Sequence, residues 1–249
     1  RPLTRLCLQD CGLRHVPLEL SELRALKELS LSDNLQLEGG TNFTVGLHVL
    51  RHLTGLTGLS LFNCRLATVP SQLSSLLALQ ALDFSYNGSD GPGVEARLQP
   101  LRHLTRLTRL DLSGCWLYAL PTSLYSLRHL ADVRLSNNRF HGEYLEARLL
   151  PLASLTALTH LDLSSSWLTT LPSYMSALQN LAMLNLSLNA FDSTALSACW
   201  LTNLTSLVFL DLASCCVRRW PPFISQLPKL KVCLYFISAF MMVASGDQE

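Results

Sequence analysis

Leu110-Asp-Leu-Ser-Gly-Cys-Trp-Leu117 decides how this chain reads, because the same wording returns on both sides of it. Leu59-Ser-Leu-Phe-Asn-Cys-Arg-Leu66 stands 51 residues earlier, and Leu161-Asp-Leu-Ser-Ser-Ser-Trp-Leu168 stands 51 later. Leu210-Asp-Leu-Ala-Ser-Cys-Cys-Val217 follows after a further 49. A second series begins 23 residues after each of the first three: Leu82-Asp-Phe-Ser-Tyr-Asn87, Val133-Arg-Leu-Ser-Asn-Asn138 and Leu184-Asn-Leu-Ser-Leu-Asn189. Leu6-Cys-Leu-Gln-Asp-Cys11 and Leu29-Ser-Leu-Ser-Asp-Asn34 open the pattern, and Cys233-Leu-Tyr235 would start a tenth unit.

Leu-x-Leu alternates with period two, so each unit predicts a short strand with one buried face. Such a strand cannot stand alone. Stacked at about 4.8 Å per strand, the units form one parallel sheet over a shared leucine core. At the turn that follows, Asn34, Asn87, Asn138 and Asn189 are expected to satisfy buried backbone groups through their amides. Cys11, Cys64, Cys115, Ser166 and Cys215 occupy the same place in alternate units. Pro17, Pro70, Pro121, Pro172 and Pro221 recur in every short unit, and each is expected to open a helical turn as a first-turn proline. The longer units carry Glu95-Ala-Arg-Leu98 and Glu146-Ala-Arg-Leu149, which predict short helices entered through turns such as Gly88-Ser-Asp-Gly-Pro-Gly93.

The pattern resembles the leucine-rich-repeat family, with its L-x-x-L-x-L-x-x-N/C-x-L signature. Leu120-Pro-Thr-Ser-Leu-Tyr-Ser-Leu-Arg-His-Leu130 and Leu171-Pro-Ser-Tyr-Met-Ser-Ala-Leu-Gln-Asn-Leu181 further resemble units of the plant-intracellular and Ras-associated members. The expected fold is α/β: a right-handed solenoid of about ten coils with a concave parallel sheet. It should span residues 1–235, with 236–249 as a C-terminal apolar segment and tail that ends the solenoid without a polar cap. The chain opens at Arg1 inside the leucine pattern, which reads as a fragment or processed product.

Composition agrees. Leucine supplies 60 of 249 residues while charged residues make up 15%, which excludes a disordered chain. Lys+Arg 19 against Asp+Glu 18 gives no basic excess, so no nucleic-acid surface is expected. The apolar run Val232–Ala244 is shorter than the roughly 20 residues a membrane helix needs, so no membrane partner is expected either.

Catalytic signals are missing from the sequence: no G-x-S-x-G, no Walker loop, no HExxH. His48 and His52 are spaced i, i+4 but bring no third metal ligand. No catalytic residue, metal or cofactor is therefore assigned. Unpaired Cys11, Cys64, Cys115 and Cys215, expected to be buried, fit a reducing compartment, so a cytoplasmic location is expected, with extracellular as the alternative. The Asn-x-Ser/Thr triplets at Asn42, Asn87, Asn185 and Asn203 are weak evidence for secretion.

The resemblance implies a non-catalytic module that binds a protein partner. Two rival roles are the ligand-binding ectodomain of a secreted receptor or adhesion protein, and the targeting arm of an enzyme. Residues just after the first leucine of each strand face outward, which nominates Asp83, Asp111, Arg134, Asp162 and Asp211 for the concave site. Trp116, Arg139 and Trp167 follow the Asn/Cys position in three consecutive units and nominate a rim, with Arg139 near at least one indole.

Overall fold

The computed structural model describes residues 2–37, 47–88, 93–191, 199–216 and 221–234. Ten short strands form one parallel sheet in chain order. They are β1 (Arg5–Cys7), β2 (Glu28–Ser30), β3 (Gly58–Ser60), β4 (Ala81–Asp83), β5 (Arg109–Asp111), β6 (Asp132–Arg134), β7 (His160–Asp162), β8 (Met183–Asn185), β9 (Phe209–Asp211) and β10 (Val232–Leu234). The central residue of each strand pairs with the central residue of the next, so Leu29, Leu59, Leu82, Leu110, Val133, Leu161, Leu184 and Leu210 stack in register. All eight are buried, as are Leu31, Leu61, Phe84, Leu112, Leu135, Leu163, Leu186 and Leu212 two residues on. Each such side chain contributes about 1.5–3 kcal/mol on burial, and only stacking buries it.

The turn amides act as expected. Asn87 Oδ1 accepts the N–H groups of Cys64 (3.1 Å) and Leu66 (2.9 Å) in the preceding coil. Its Nδ2 donates to the carbonyls of Leu61 (2.7 Å) and Phe84 (3.0 Å), so one side chain ties two coils together. Asn34, Asn138 and Asn189 repeat the arrangement.

Short 3-10 turns form the layer opposite the sheet, among them Leu18–Glu22, Ser71–Ser75, Thr122–Ser126, Ser173–Ala177 and Pro222–Gln226. The recurrent prolines do not open these turns from within. Pro17, Pro70, Pro121, Pro172 and Pro221 each sit one residue earlier, on extended backbone with ψ between 124° and 151°. There the proline carbonyl accepts the first turn hydrogen bond, as Pro70 does from Leu73 (3.0 Å). A ring-fixed φ aims the chain into the turn without being part of it. In the longer units the expected helices appear at Val94–Leu98 and Leu145–Leu149, preceded by Gly93 (φ 100°) and Tyr144 (φ 64°). The 236–249 segment and the end of the solenoid lie outside the described residues, as do Ser89–Gly91 and Pro92 of the glycine-rich turn.

Candidate functional site

With the central leucine of each strand turned inward, its two flanking residues turn outward. Two parallel rows therefore cross the concave face. The row after the leucine places Asp83, Asp111, Arg134, Asp162, Asn185 and Asp211 side by side on β4 to β9. All five sequence-nominated residues thus share one row.

Their side chains are already partly engaged. Oδ1 of Asp83, Asp111, Asp162 and Asp211 accepts the backbone N–H two residues on, from Ser85, Ser113, Ser164 and Ala213 at 2.8–3.0 Å. Asn185 does the same toward Ser187 at 3.1 Å. Each carboxylate therefore fixes its own turn with one oxygen. Asp83 Oδ2 accepts Ser60 Oγ (3.1 Å). Burial raises the pKa of Asp111, the Ser113 donors oppose that, the neighbouring Asp83 charge adds to the rise and Arg134 counters it.

The row before the leucine was missed in the sequence, although the same alternation predicts it. It runs Arg5, Glu28, Gly58, Ala81, Arg109, Asp132, His160, Met183, Phe209 and Val232. Cross-strand ion pairs sit in it: Arg5 Nε to Glu28 at 2.5 Å and Arg109 Nε to Asp132 at 2.7 Å. Arg134 reaches the other Asp132 oxygen at 3.5 Å, which joins the two rows. From β8 onward the row turns apolar, with Met183 and Val232 exposed. Asp83, Asp111 and Arg134 of the first row and Arg5 to Met183 of the second, with Thr57, Gln80, Thr108, Ala131 and Thr159 beside them, line a groove of about 1250 Å³, while Asp162 and Asp211 lie beyond its lining.

At the rim, Arg139 lies 4.1 Å from the Trp116 ring centroid. Trp167 meets His141 instead, edge to face at 6.3 Å. Both tryptophans remain exposed and stand on left-handed backbone, φ 58° and 60°.

The thiols divide by coil. Cys64, Cys115 and Cys215 are buried and unpaired, and each donates to a carbonyl of the preceding coil: Leu31 (3.1 Å), Phe84 (3.3 Å) and Leu186 (2.9 Å). Ser166 Oγ does the same to Leu135 (3.1 Å). Cys11 was expected to be buried but is exposed, because the coil it belongs to has no described coil beneath it. The rings of His48 and His52 lie 6.0 Å apart, and no group of three metal-type ligands occurs among the described residues.

Residues 106–127 match the leucine-rich-repeat family model. The chain belongs to the leucine-rich-repeat family. Its repeats are 30% identical over 192 residues to the volume-regulated anion channel subunit LRRC8A of Rattus norvegicus, covering 76% of this chain and 22% of that protein. The chain thus spans about a fifth of that relative's length. In fold, the solenoid is similar to a Leptospira interrogans LRR protein, with TM-score 0.72, 24% identity and coverage of 93% of this chain and 60% of that one. It is also similar to the LRR ectodomain of the plant membrane receptor kinase GASSHO1/SCHENGEN3 from Arabidopsis thaliana, with TM-score 0.59, 21% identity and coverage of 92% of this chain and 26% of that one. A leucine-rich-repeat scaffold of this kind makes protein or ligand contacts through its concave face.

The cytoplasmic location expected from the sequence is overturned. Among the similar chains are the ectodomain of a plant membrane receptor kinase and subunits of an anion channel. The expectation erred physically by reading compartment from unpaired thiols. Cys64, Cys115 and Cys215 are unpaired because a coil turn buries each one singly, and such a thiol says nothing of the redox poise outside. No helix among the described residues is long and apolar enough to cross a membrane.

Proposed function

We propose that this solenoid is the ligand-binding part of an ectodomain and holds a polypeptide on its concave face. Asp83, Asp111, Arg134, Asp162 and Asp211 form the polar row that selects the ligand, and Trp116, Arg139 and Trp167 form a flanking rim contact. The observation that carries the reading is the direct pairing of Asp83 with Asp111 on adjacent strands of a continuous outward-facing sheet. Like charges placed directly opposite are unfavourable, and a basic group on a ligand relieves them. The ion pairs of Arg109 and Arg134 go to Asp132, and Arg134, beside Asp111 on β6, offsets only part of the Asp83–Asp111 repulsion.

Selection of peptides from a displayed random library against the full chain tests this. The expected winners are enriched in Lys or Arg, compete with one another, and lose affinity in Asp83→Asn/Asp111→Asn. The Asn side chain keeps the turn, because Asn185 already fills that role in β8. Winners that bind this variant unchanged would refute the concave site.

A further inference from the structure

We infer that Asn203 is an N-glycosylation acceptor on the layer opposite the ligand face; this rests on the extracellular reading above. Four Asn-x-Ser/Thr triplets occur in the chain, and the fold separates them. Asn42 lies outside the described residues. Asn87 is buried, and both ends of its amide are engaged: Oδ1 by Cys64 and Leu66, Nδ2 by Leu61, Phe84 and Ser85. Asn185 is half-buried within β8, its Oδ1 holding the Ser187 N–H and hydroxyl. A sugar on either would displace a bond that shapes a turn.

Asn203 differs in each respect. It ends the 3-10 turn Cys199–Asn203 and is exposed. Leu204 is fully buried and anchors the triplet, so Asn203 and Thr205 both stand in solvent on either side of that anchor. The Thr205 N–H donates to the Asn203 carbonyl at 2.8 Å, so the backbone turns sharply within the triplet. The same slot holds His52-Leu-Thr54, His103-Leu-Thr105 and Ser154-Leu-Thr156 in three earlier coils. His52 and His103 are exposed there, as are Thr54, Thr105 and Thr156. Leu-Thr is therefore the structural wording of this turn, and the side chain before it can change without touching the core. Only in this coil is that side chain an asparagine.

The chemistry needs an exposed amide and a donor that the secretory route supplies, a polyisoprenyl-diphosphate oligosaccharide. Asn203 Nδ2 forms a bond to the anomeric carbon. The bond from that carbon to the diphosphate oxygen breaks and leaves its electron pair on the diphosphate, and one amide proton passes to a base of the transferase. The glycan would then cover the outer layer and leave the concave groove open.

The test is expression of the full chain behind a cleavable leader in a eukaryotic host, with glycan analysis of both the intracellular and the secreted pools. Peptide-N-glycosidase should lower the apparent mass and convert Asn203 to aspartate, as read by peptide mass mapping. Asn203→Gln and Thr205→Ala should each abolish that conversion while leaving the thermal midpoint unchanged. His103→Asn builds the same triplet in an equivalent slot and should add one further glycan to a folded chain. Folded chain with unmodified Asn203, or with sugar on Asn87, would overturn the assignment. The two proposals fail separately: a glycosylated chain that selects no peptide removes only the ligand reading, and an unmodified chain that selects peptides removes only this one.

Discussion

The guanidinium of Arg139 lies 4.1 Å from the centre of the Trp116 ring, one coil away along the solenoid. Trp167, one coil away on the other side, is met by His141. The stack is therefore one-sided. A double-mutant cycle of Trp116→Ala and Arg139→Ala should give a coupling of about 0.5–1 kcal/mol in denaturant unfolding. The matching cycle with Trp167→Ala should give none, and equal coupling in both cycles would contradict the geometry.

The turn amides should dominate stability per residue. Asn138→Ala leaves the Leu117 N–H and the Leu112 and Leu135 carbonyls without their shared partner. A buried group left unsatisfied costs about 1–3 kcal/mol, so a loss of roughly 3 kcal/mol is expected from urea unfolding at fixed pH. A loss under about 1 kcal/mol would mean that the coils relax around the gap.

Burial pushes the Cys115 thiol from 9.0 up to about 12, and those of Cys64 and Cys215 up to about 11. In each case burial is the largest cause, because the thiolate would lose its hydration. A raised thiol value means that the folded state holds its proton longer than the unfolded state does. These groups contribute their full stability below pH 9.0, and that contribution is lost as pH rises through 9.0 toward 11–12. Thermal midpoints should fall across this window, and the fall should shrink in Cys115→Ser, since Ser166 shows that a hydroxyl makes the same bond. In native alkylation at neutral pH, the exposed Cys7, Cys11 and Cys216 should react ahead of Cys64, Cys115 and Cys215.

Gly93 and Tyr144 occupy equivalent places before the two short helices, both with positive φ. Tyr144 is 76% exposed, so its ring contributes little packing. Left-handed backbone costs a non-glycine residue about 1–2 kcal/mol, while glycine loses more entropy on folding, by roughly 0.5–1 kcal/mol. Tyr144→Gly should therefore raise stability by up to about 1 kcal/mol. A lower midpoint would show that the ring holds a contact.

Much of the fold was legible because its determinants are local and repeated. Leu-x-Leu announces the strand, Asn138 announces the turn amide, and a spacing of 23 announces the next coil. Features that depend on a neighbour were not legible. Cys11 carries the same wording as Cys64 but stays exposed, because burial of a turn thiol comes from the coil below it. The prolines reveal a turn but not that they stand before it. Of the site, one outward row was read and the other, with Arg109, Asp132 and Met183, was overlooked although the same period-two rule places it. Which indole Arg139 chooses is a matter of rotamer, which repeat wording does not encode.

The affinity of a library-selected basic peptide for the chain, measured against Asp83→Asn/Asp111→Asn, tests the ligand-binding account most directly. Removing both charges while keeping both turns should weaken binding by about tenfold or more, equivalent to roughly 1.4 kcal/mol, and should flatten the salt dependence of Kd. An unchanged Kd, with the same salt dependence, would contradict the account.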